Sequence, residues 1–216
     1  MRSRARGVNA GAMHIRASAI VCAARSHGEN ASIARVLTGE YGLVAGYVAG
    51  GRGRRMRAVL VPGNGVAIDI AARSASQLPF LKAELVTSRA PFLSEPLPAA
   101  AIGWVTALTA AILPERSPFP ALYQALDAVL DAICHAPSAR GWVPALIAYE
   151  ALFLRELGYG GSRPDLEGAD WGNTIAAFDR IGRFVEKRVL ADRAGPVMGD
   201  LAAARAILRE RLARIA

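Results

Sequence analysis

The spacing of apolar residues changes once along this chain, from a strand-like period to a helical period. Up to about residue 93, short segments such as "ASIARVLT" (31–38) alternate apolar and polar side chains between glycine-containing turns. From Leu97 onward, apolar residues recur every three or four positions, as along one face of an α-helix. Strands and helices place apolar residues at different spacings, so the pattern predicts an α+β fold in which the strands come first and the helices second.

The first part contains five segments that predict β-strands. They are 17–27, 31–38, 43–50, 65–74 and 80–89. Glycine-rich turns separate them, including "GEYG" (39–42) and "VPGN" (61–64). Five short strands are typical of a small closed barrel, and an oligonucleotide-binding (OB) barrel has this strand number and size. We therefore predict an OB-fold barrel domain over 13–93.

The second part predicts an all-α helical bundle domain over 94–216, entered through the proline-rich link "APFLSEPLP" (90–98). The predicted helices are 97–112, 119–133, 142–157, 173–190 and 200–215. Pro114 ends the first helix, Gly158 closes the third, and Asp200 is a candidate N-cap for the last.

The whole chain has a net charge of +8, and all of the excess positive charge lies in its first part. Residues 1–93 contain thirteen Lys and Arg against four Asp and Glu, whereas residues 94–216 contain thirteen against fourteen. A basic module joined to a neutral one indicates nucleic acid or another anionic surface as a partner. Residues 1–12 predict a disordered basic extension, with Met13 as a candidate original start.

Four arginines stand within six residues of the predicted barrel. They are Arg52, Arg54, Arg55 and Arg57. Four adjacent guanidiniums cannot be buried together, so we predict an exposed loop with glycine hinges that lies against an anion. Guanidinium groups bind phosphate through paired donors, and each neutralised phosphate releases a counterion. We predict that this cluster binds DNA phosphates, with Arg25 and Arg35 as flanking contacts; the alternative is a loop that only aids solubility.

Few aromatic residues accompany these arginines. The candidates for stacking on bases are Tyr41, Tyr47, Phe80 and Phe92, and we expect one or more of them to fill the core. The pattern therefore favours a sequence-independent hold on the nucleic-acid backbone over readout of bases.

The sequence contains no pattern that indicates catalysis, a metal or a cofactor. Its glycine-rich stretch lacks the Gly-Lys-Ser/Thr ending of nucleotide-binding loops, and no helix is predicted behind it. Cys22 and Cys134 predict buried free thiols. Asp127 and Asp131 lie four residues apart on one predicted helix, where we expect a solvated polar stripe. We predict a protein that is not an enzyme and that binds no cofactor.

Several short motifs follow one another along residues 13–160. They are R-x-x-G-E (25–29), T-x-E-x-G (38–42), V-A-x-x-x-x-G-x-R ending at Arg52, and L-x-P-G-N ending at Asn64. A later stretch, "VPALIAYEALFLRELGYG" (143–160), has the pattern P-A-L, then an aromatic residue and Glu, then a leucine-rich end before L-G-Y-G. In this order the motifs resemble the RecO family of bacterial recombination mediators.

The resemblance implies an OB barrel followed by a helical domain, and a role in recombinational DNA repair. Family members bind single- and double-stranded DNA, anneal complementary strands, and contact the acidic tail of single-stranded DNA-binding protein. With RecR, and in some settings RecF, they help the RecA recombinase displace that protein from DNA. Such a mediator needs no nucleotide and no catalytic residue, and it acts in the cytoplasm on the nucleoid.

The sequence departs from the family pattern at positions that concern metal and partner binding. Some members carry a four-cysteine zinc site after the L-G-Y-G segment, but residues 161–173 contain no cysteine, so we predict no zinc. Many members have basic residues just after P-A-L, where this chain has Ile147 and Ala148. The acidic tail is then expected to contact other residues, with Arg140 and Arg155 as candidates.

An alternative function belongs to a different class. The helical bundle would make the chain a protein–protein adaptor, with the basic segment contacting RNA or ribosomes. A hydrolase is a third possibility without a supporting motif. No apolar run reaches the ~20 residues that a membrane-spanning helix requires, so we predict no membrane partner.

Overall fold

The computed structural model describes residues 13–72, 77–160, 162–191 and 196–215. Its strands are β1 (Met13–His27), β2 (Ala31–Thr38), β3 (Gly42–Val48), β4 (Gly65–Ala72) and β5 (Phe80–Thr87). Its helices are α1 (Arg54–Val59), α2 (Pro96–Ile112), α3 (Pro120–His135), α4 (Ala139–Glu156), α5 (Trp171–Val185) and α6 (Pro196–Ala213). A 3₁₀ turn, Ala90–Ser94, precedes α2, and a π-helical turn, Glu186–Leu190, follows α5. The predicted extension over 1–12 lies outside the described residues.

The strands close into a barrel in the order β1-β2-β3-β5-β4. Neighbouring strands are antiparallel except β3 and β5, which meet in parallel at Tyr47 and Phe80. β1 closes the barrel because its first half pairs with β4 and its second half pairs with β2. The strand number, the order and the closure confirm the predicted OB-type barrel.

The apolar residues of the strands fall into two sets that face opposite ways. Val21, Val36 and Ile70 belong to the set that fills the barrel interior. The other set joins the core of the helices and consists of Ile20, Cys22, Leu37 and Leu43. Because successive side chains of a strand point to opposite faces, the barrel has one outer face that is buried under the helices.

The helical part is an all-α bundle, as predicted, and α2 lies at its centre. Ile102, Trp104 and Leu108 of α2 are fully buried. This helix packs on β1 and β2 and also on α3 and α6, while α4 packs against α3 and α5. The long helices begin at Pro96, close to the predicted change of period. The division into domains over 13–93 and 94–216 stays a prediction, since strand residues belong to the helical core.

A buried ion pair connects the helices of the bundle. The Glu150 carboxylate on α4 is fully buried, accepts a hydrogen bond from Trp104 Nε1 at 2.6 Å, and pairs with Arg205 Nη2 of α6 at 3.0 Å. The Arg205 guanidinium also lies 3.9 Å from the centre of the Phe178 ring on α5. Gly182 leaves room for it, because a Cβ there would meet Arg205 Nη1. The pair therefore ties α2, α4, α5 and α6 together.

The last two helices both begin at residues other than the predicted ones. Asp200 was predicted to cap the last helix, which is wrong: α6 begins four residues earlier, at Pro196, because proline is favoured in a first helical turn. The helix predicted over 173–190 begins instead at Trp171, where the Asp170 carboxylate accepts a hydrogen bond from the Asn173 N–H at 2.7 Å. None of the described helices combines the length and hydropathy needed to cross a bilayer.

Candidate nucleic-acid interface

The predicted arginine loop contains a short helix. We call residues 52–57 the arginine segment; most of it lies in α1, whose apolar side packs on the barrel through Met56, Val59 and the following Leu60. The prediction of a loop without a helix is therefore wrong, because the apolar residues that follow the arginines are close enough to anchor a helical turn. With one side of α1 buried, its arginines are held on the exposed side.

The start of the arginine segment is fixed against the turn between β1 and β2. Gly50 has a positive φ of 66°, and a Cβ on Gly51 would lie 2.6 Å from the Ser32 Cβ. Arg52 then donates its backbone N–H to the Asn30 carbonyl at 3.2 Å and its Nη1 to the Gly28 carbonyl at 3.1 Å. Of the predicted glycine hinges, Gly50 therefore provides a left-handed backbone conformation and Gly51 a close approach to Ser32.

The end of α1 is held by Asn64, which is fully buried. Its Nδ2 donates to the carbonyls of Ala58 at 2.9 Å and Val59 at 3.2 Å, and so satisfies the last turn of α1. Its Oδ1 accepts the backbone N–H of Arg89 at 2.8 Å. Gly63 just before it has a φ of 93°, a conformation that favours glycine. The P-G-N motif therefore sets where the arginine segment stops.

Arg89, which is bound by Asn64, connects the end of α1 to the helical part of the fold. Its side chain is 3% exposed, and its guanidinium donates to the Gly63 carbonyl at 2.7 Å, to Asp127 at 2.8 Å and to Asp131 at 2.6 Å. The carboxylates are exposed, as predicted, with 52% and 57% of their side chains accessible, but both also bind a buried cation, which the prediction did not include. Sequence reasoning missed Arg89; two carboxylates four residues apart on one helix face were the signal that a cation lay opposite.

Two grooves flank the arginine segment. One, of about 390 Å³, is lined by Arg25, Arg52 and Arg57. The other, of about 560 Å³, is lined by Arg54 and Arg55, and by residues of β5 that include Phe80, Lys82 and Glu84. Five of the six arginines predicted to bind DNA therefore lie on one surface.

The positive charges of this surface are not matched by ion pairs within the described part of the chain. Among the described residues, no carboxylate forms an ion pair with any of the five arginines Arg25, Arg52, Arg54, Arg55 and Arg57. Arg35, the sixth, lines a cleft between the barrel and α2 that Arg25 also borders, and its Nη2 pairs with Glu115 at 2.8 Å. The arginine segment and Arg25 therefore form a surface of positive potential that favours an external anion.

Of the four aromatic residues considered for base stacking, one lies in the core and three lie nearer the surface. Phe92 packs against the helical core, as expected of one or more of the four. Tyr47 is half-buried, and Tyr41 and Phe80 are exposed, so these three lie outside the barrel interior.

The arginines predicted to bind a partner lie at opposite ends of α4. Arg140 is in the first turn, with its guanidinium 5.3 Å from the centre of the Trp171 ring. Arg155 is in the last turn and lines a groove of about 390 Å³ between α3 and α4, together with Leu152 and Arg163. A rise of about 1.5 Å per residue separates the two arginines by roughly 22 Å, so they do not form one site.

The thiols are buried and free, as predicted. Burial raises the pKa of Cys22 to about 12, and burial also raises the pKa of Cys134. Neither thiol is therefore suited to act as a nucleophile near neutral pH. Within the described ranges, no group of three or more His, Cys, Asp or Glu side chains could hold a metal ion.

The fold and the surface define a two-part protein in which an OB-type barrel with an unmatched basic surface is joined to a helical bundle. The chain belongs to the RecO family: residues 13–89 match the family model described as Recombination protein O N terminal, and residues 94–166 match Recombination protein O C terminal. The described parts of α5 and α6 lie beyond these matches.

Curated relatives agree with the family models. The chain is 44% identical over 143 residues to a DNA repair protein RecO of Rhodospirillum centenum, covering 66% of this chain and 56% of the relative. It is 39% identical over 149 residues to a DNA repair protein RecO of Ruegeria sp., covering 68% and 61% respectively. It is 39% identical over 142 residues to that of Paracoccus denitrificans, covering 66% and 57%. The aligned part is therefore less than two thirds of each relative's length.

Proposed function

We propose that the chain is a DNA-binding protein of recombinational repair that is not an enzyme. The observation that supports this most directly is the arginine segment, whose guanidiniums lie exposed on the barrel beside Arg25 and have no carboxylate partner among the described residues. Membership of a family whose relatives are named DNA repair proteins supports the choice of DNA as the anion. The protein would act in the cytoplasm, on the nucleoid.

The proposed contacts are to phosphates of single- and double-stranded DNA. Arg52, Arg54, Arg55 and Arg57 provide most of the binding, and Arg25 extends the surface along one groove. Arg35 contributes less, because Glu115 already balances its charge. Phosphate contacts of this kind bind DNA of any sequence and release counterions.

Strand annealing follows from the same charges. Two complementary strands repel one another through their phosphates, and a basic surface that binds both reduces this repulsion. We propose that the chain anneals strands in this way and that, with RecR and RecF, it helps RecA onto DNA covered by single-stranded DNA-binding protein. Family membership supports these partners.

For the acidic tail of single-stranded DNA-binding protein, we propose the groove between α3 and α4. Its lining combines apolar residues such as Leu152 with Arg155 and Arg163, a combination that suits a peptide with both apolar and acidic residues. Arg140 is the less favoured of the two predicted contacts, since its guanidinium lies over Trp171 and far from this groove.

The test is a salt titration of DNA binding. A labelled single-stranded oligonucleotide is titrated with the protein at several salt concentrations, and its fluorescence anisotropy is measured. Replacing Arg52, Arg54, Arg55 and Arg57 by Ala is expected to weaken binding about a hundredfold and to reduce the slope of log K against log salt by about 3. The reason is that four phosphate contacts, each with its counterions, are lost.

A matched control removes the same charge elsewhere. Arg180, Arg183, Lys187 and Arg188 lie exposed on α5 and the turn after it, and replacing all four by Ala should leave the affinity and salt slope nearly unchanged. Equal losses in both variants would show that net charge alone decides binding. Absent or salt-insensitive binding by the unaltered protein would contradict the proposal and favour the adaptor function.

A further inference from the structure

Three aromatic rings from three different strands form a row on the outside of the barrel. The ring of Tyr47 on β3 lies 5.4 Å from that of Phe80 on β5, and 6.0 Å from that of His27 on β1, in edge-to-face arrangements. Strand pairing produces this row, because Tyr47 is the partner of Phe80 across the parallel β3–β5 contact. The rings are therefore fixed by the backbone of the barrel.

Phe80 is the more exposed of the Tyr47 and Phe80 rings. Its residue is 64% exposed, although it stands in a strand of the barrel. A perpendicular contact with Tyr47, at an interplanar angle of 79°, fixes the orientation of the Phe80 ring without enclosing it. A rigid exposed aromatic ring of this kind is a favourable surface for a flat apolar partner.

The surroundings of Phe80 indicate the chemistry of that partner. Phe80 lines the same groove as Arg54, Arg55 and Lys82, with Glu84 as the acidic member of the lining. Cations bind phosphates, while an exposed ring stacks on unpaired bases, and single strands use both on one surface. A duplex offers phosphates too, but its base faces are already stacked on their neighbours.

We propose that Phe80, supported by Tyr47 and His27, is a stacking platform for an unpaired base of single-stranded DNA held at the arginine segment. This inference rests on the proposed DNA binding and adds a preference to it. The arginines bind any strand through phosphate, and Phe80 adds affinity only for strands whose bases are unpaired.

The test separates bases from phosphates by the choice of ligand. Three ligands of equal length are compared: an oligothymidylate, an abasic strand with the same phosphates, and a duplex. Phe80→Ala is expected to weaken binding of the oligothymidylate about tenfold and to leave binding of the abasic strand and the duplex unchanged. The control is Phe184→Ala, which removes an exposed ring on α5, far from the arginine segment in sequence and on a different element.

A second variant keeps the ring and reports on it. Phe80→Trp should restore the affinity for oligothymidylate, and its added tryptophan fluorescence should be quenched by that ligand but not by the abasic strand. Equal binding of oligothymidylate and abasic strand by the unaltered protein would overturn the stacking platform and leave phosphate binding intact. Equal weakening of all three ligands by Phe80→Ala would also overturn it, and no binding of any strand would overturn both proposals.

Discussion

Arginines at the two outer faces of the barrel differ in their burial and in their pairing with carboxylates. At the junction with the helices, Arg89 is buried, and its guanidinium donates to Gly63 and to two carboxylates of α3. On the open face, the arginine segment is exposed and has no carboxylate partner among the described residues. The same residue type therefore joins parts of the fold in one region and is available to an external anion in the other.

Burial explains the difference. A buried cation without a partner costs several kcal/mol, so it must be matched inside the chain. An exposed cation is hydrated and can remain unmatched at little cost to stability. Substitutions in the buried region should therefore change the free energy of unfolding, and substitutions on the open face should change binding while stability stays the same.

The largest expected effect lies deepest in the helical part. Arg205→Ala leaves the Glu150 carboxylate buried without its cation, and we expect the free energy of unfolding to fall by about 3–5 kcal/mol. Urea unfolding followed by circular dichroism measures this. Arg214→Ala removes an exposed partner of Glu210 on α6 and serves as the control, with an expected loss below about 0.5 kcal/mol. Similar small losses in both variants would contradict the contrast between buried and exposed arginines.

A smaller loss is expected at the junction. Arg89→Met removes three hydrogen bonds that the charged guanidinium donates. The loss is limited because the Asp127 and Asp131 side chains are about half-exposed, so water hydrates them in the variant. We expect the free energy of unfolding to fall by about 2–3 kcal/mol. Because Asn64 connects Arg89 to the end of α1, DNA affinity should fall as well. Unchanged stability, measured by the same urea unfolding, would show that this connection does not hold the two parts together.

The buried face of the barrel should also respond to alkaline pH. The pKa of the Cys22 thiol is raised by burial from 9.0 to about 12, so the folded protein keeps a proton that the unfolded chain loses. The stability from this group is complete below pH 9 and decreases by about 1.4 kcal/mol per pH unit between 9 and 12. Unfolding measured from pH 8 upward should show a steeper decrease for the unaltered protein than for Cys22→Ala. Parallel curves would contradict the burial of this thiol against the helices.

The smallest effect on stability is expected on the open face. The variant with the four arginines of the arginine segment replaced by Ala should unfold within about 0.5 kcal/mol of the unaltered protein, although we expect its DNA binding to be about a hundredfold weaker. The same urea experiment measures this. A loss of several kcal/mol would mean that these arginines support the fold, and the division between the two faces would then be wrong.

Local patterns in the sequence were sufficient for the order of elements. Alternation predicted β2 over 31–38 with its observed ends, and helical spacing predicted α2 to within one residue at its start. The charge density of the arginine segment predicted its exposure, since four guanidiniums cannot be buried together. Each of these depends only on neighbours in sequence, which is why the sequence alone determined them.

Contacts between distant residues were decided by the tertiary structure. Arg89 meets Asp127 and Asp131 across about forty residues, and Tyr47 meets Phe80 only because β3 and β5 pair to close the barrel. The helix in the arginine segment forms because Val59 and Leu60 pack against the core of the barrel. The sequence determined which residues are charged, apolar or aromatic; the closed barrel and its helical cover decided which charges are matched and which rings are exposed, because burial depends on packing across the whole fold.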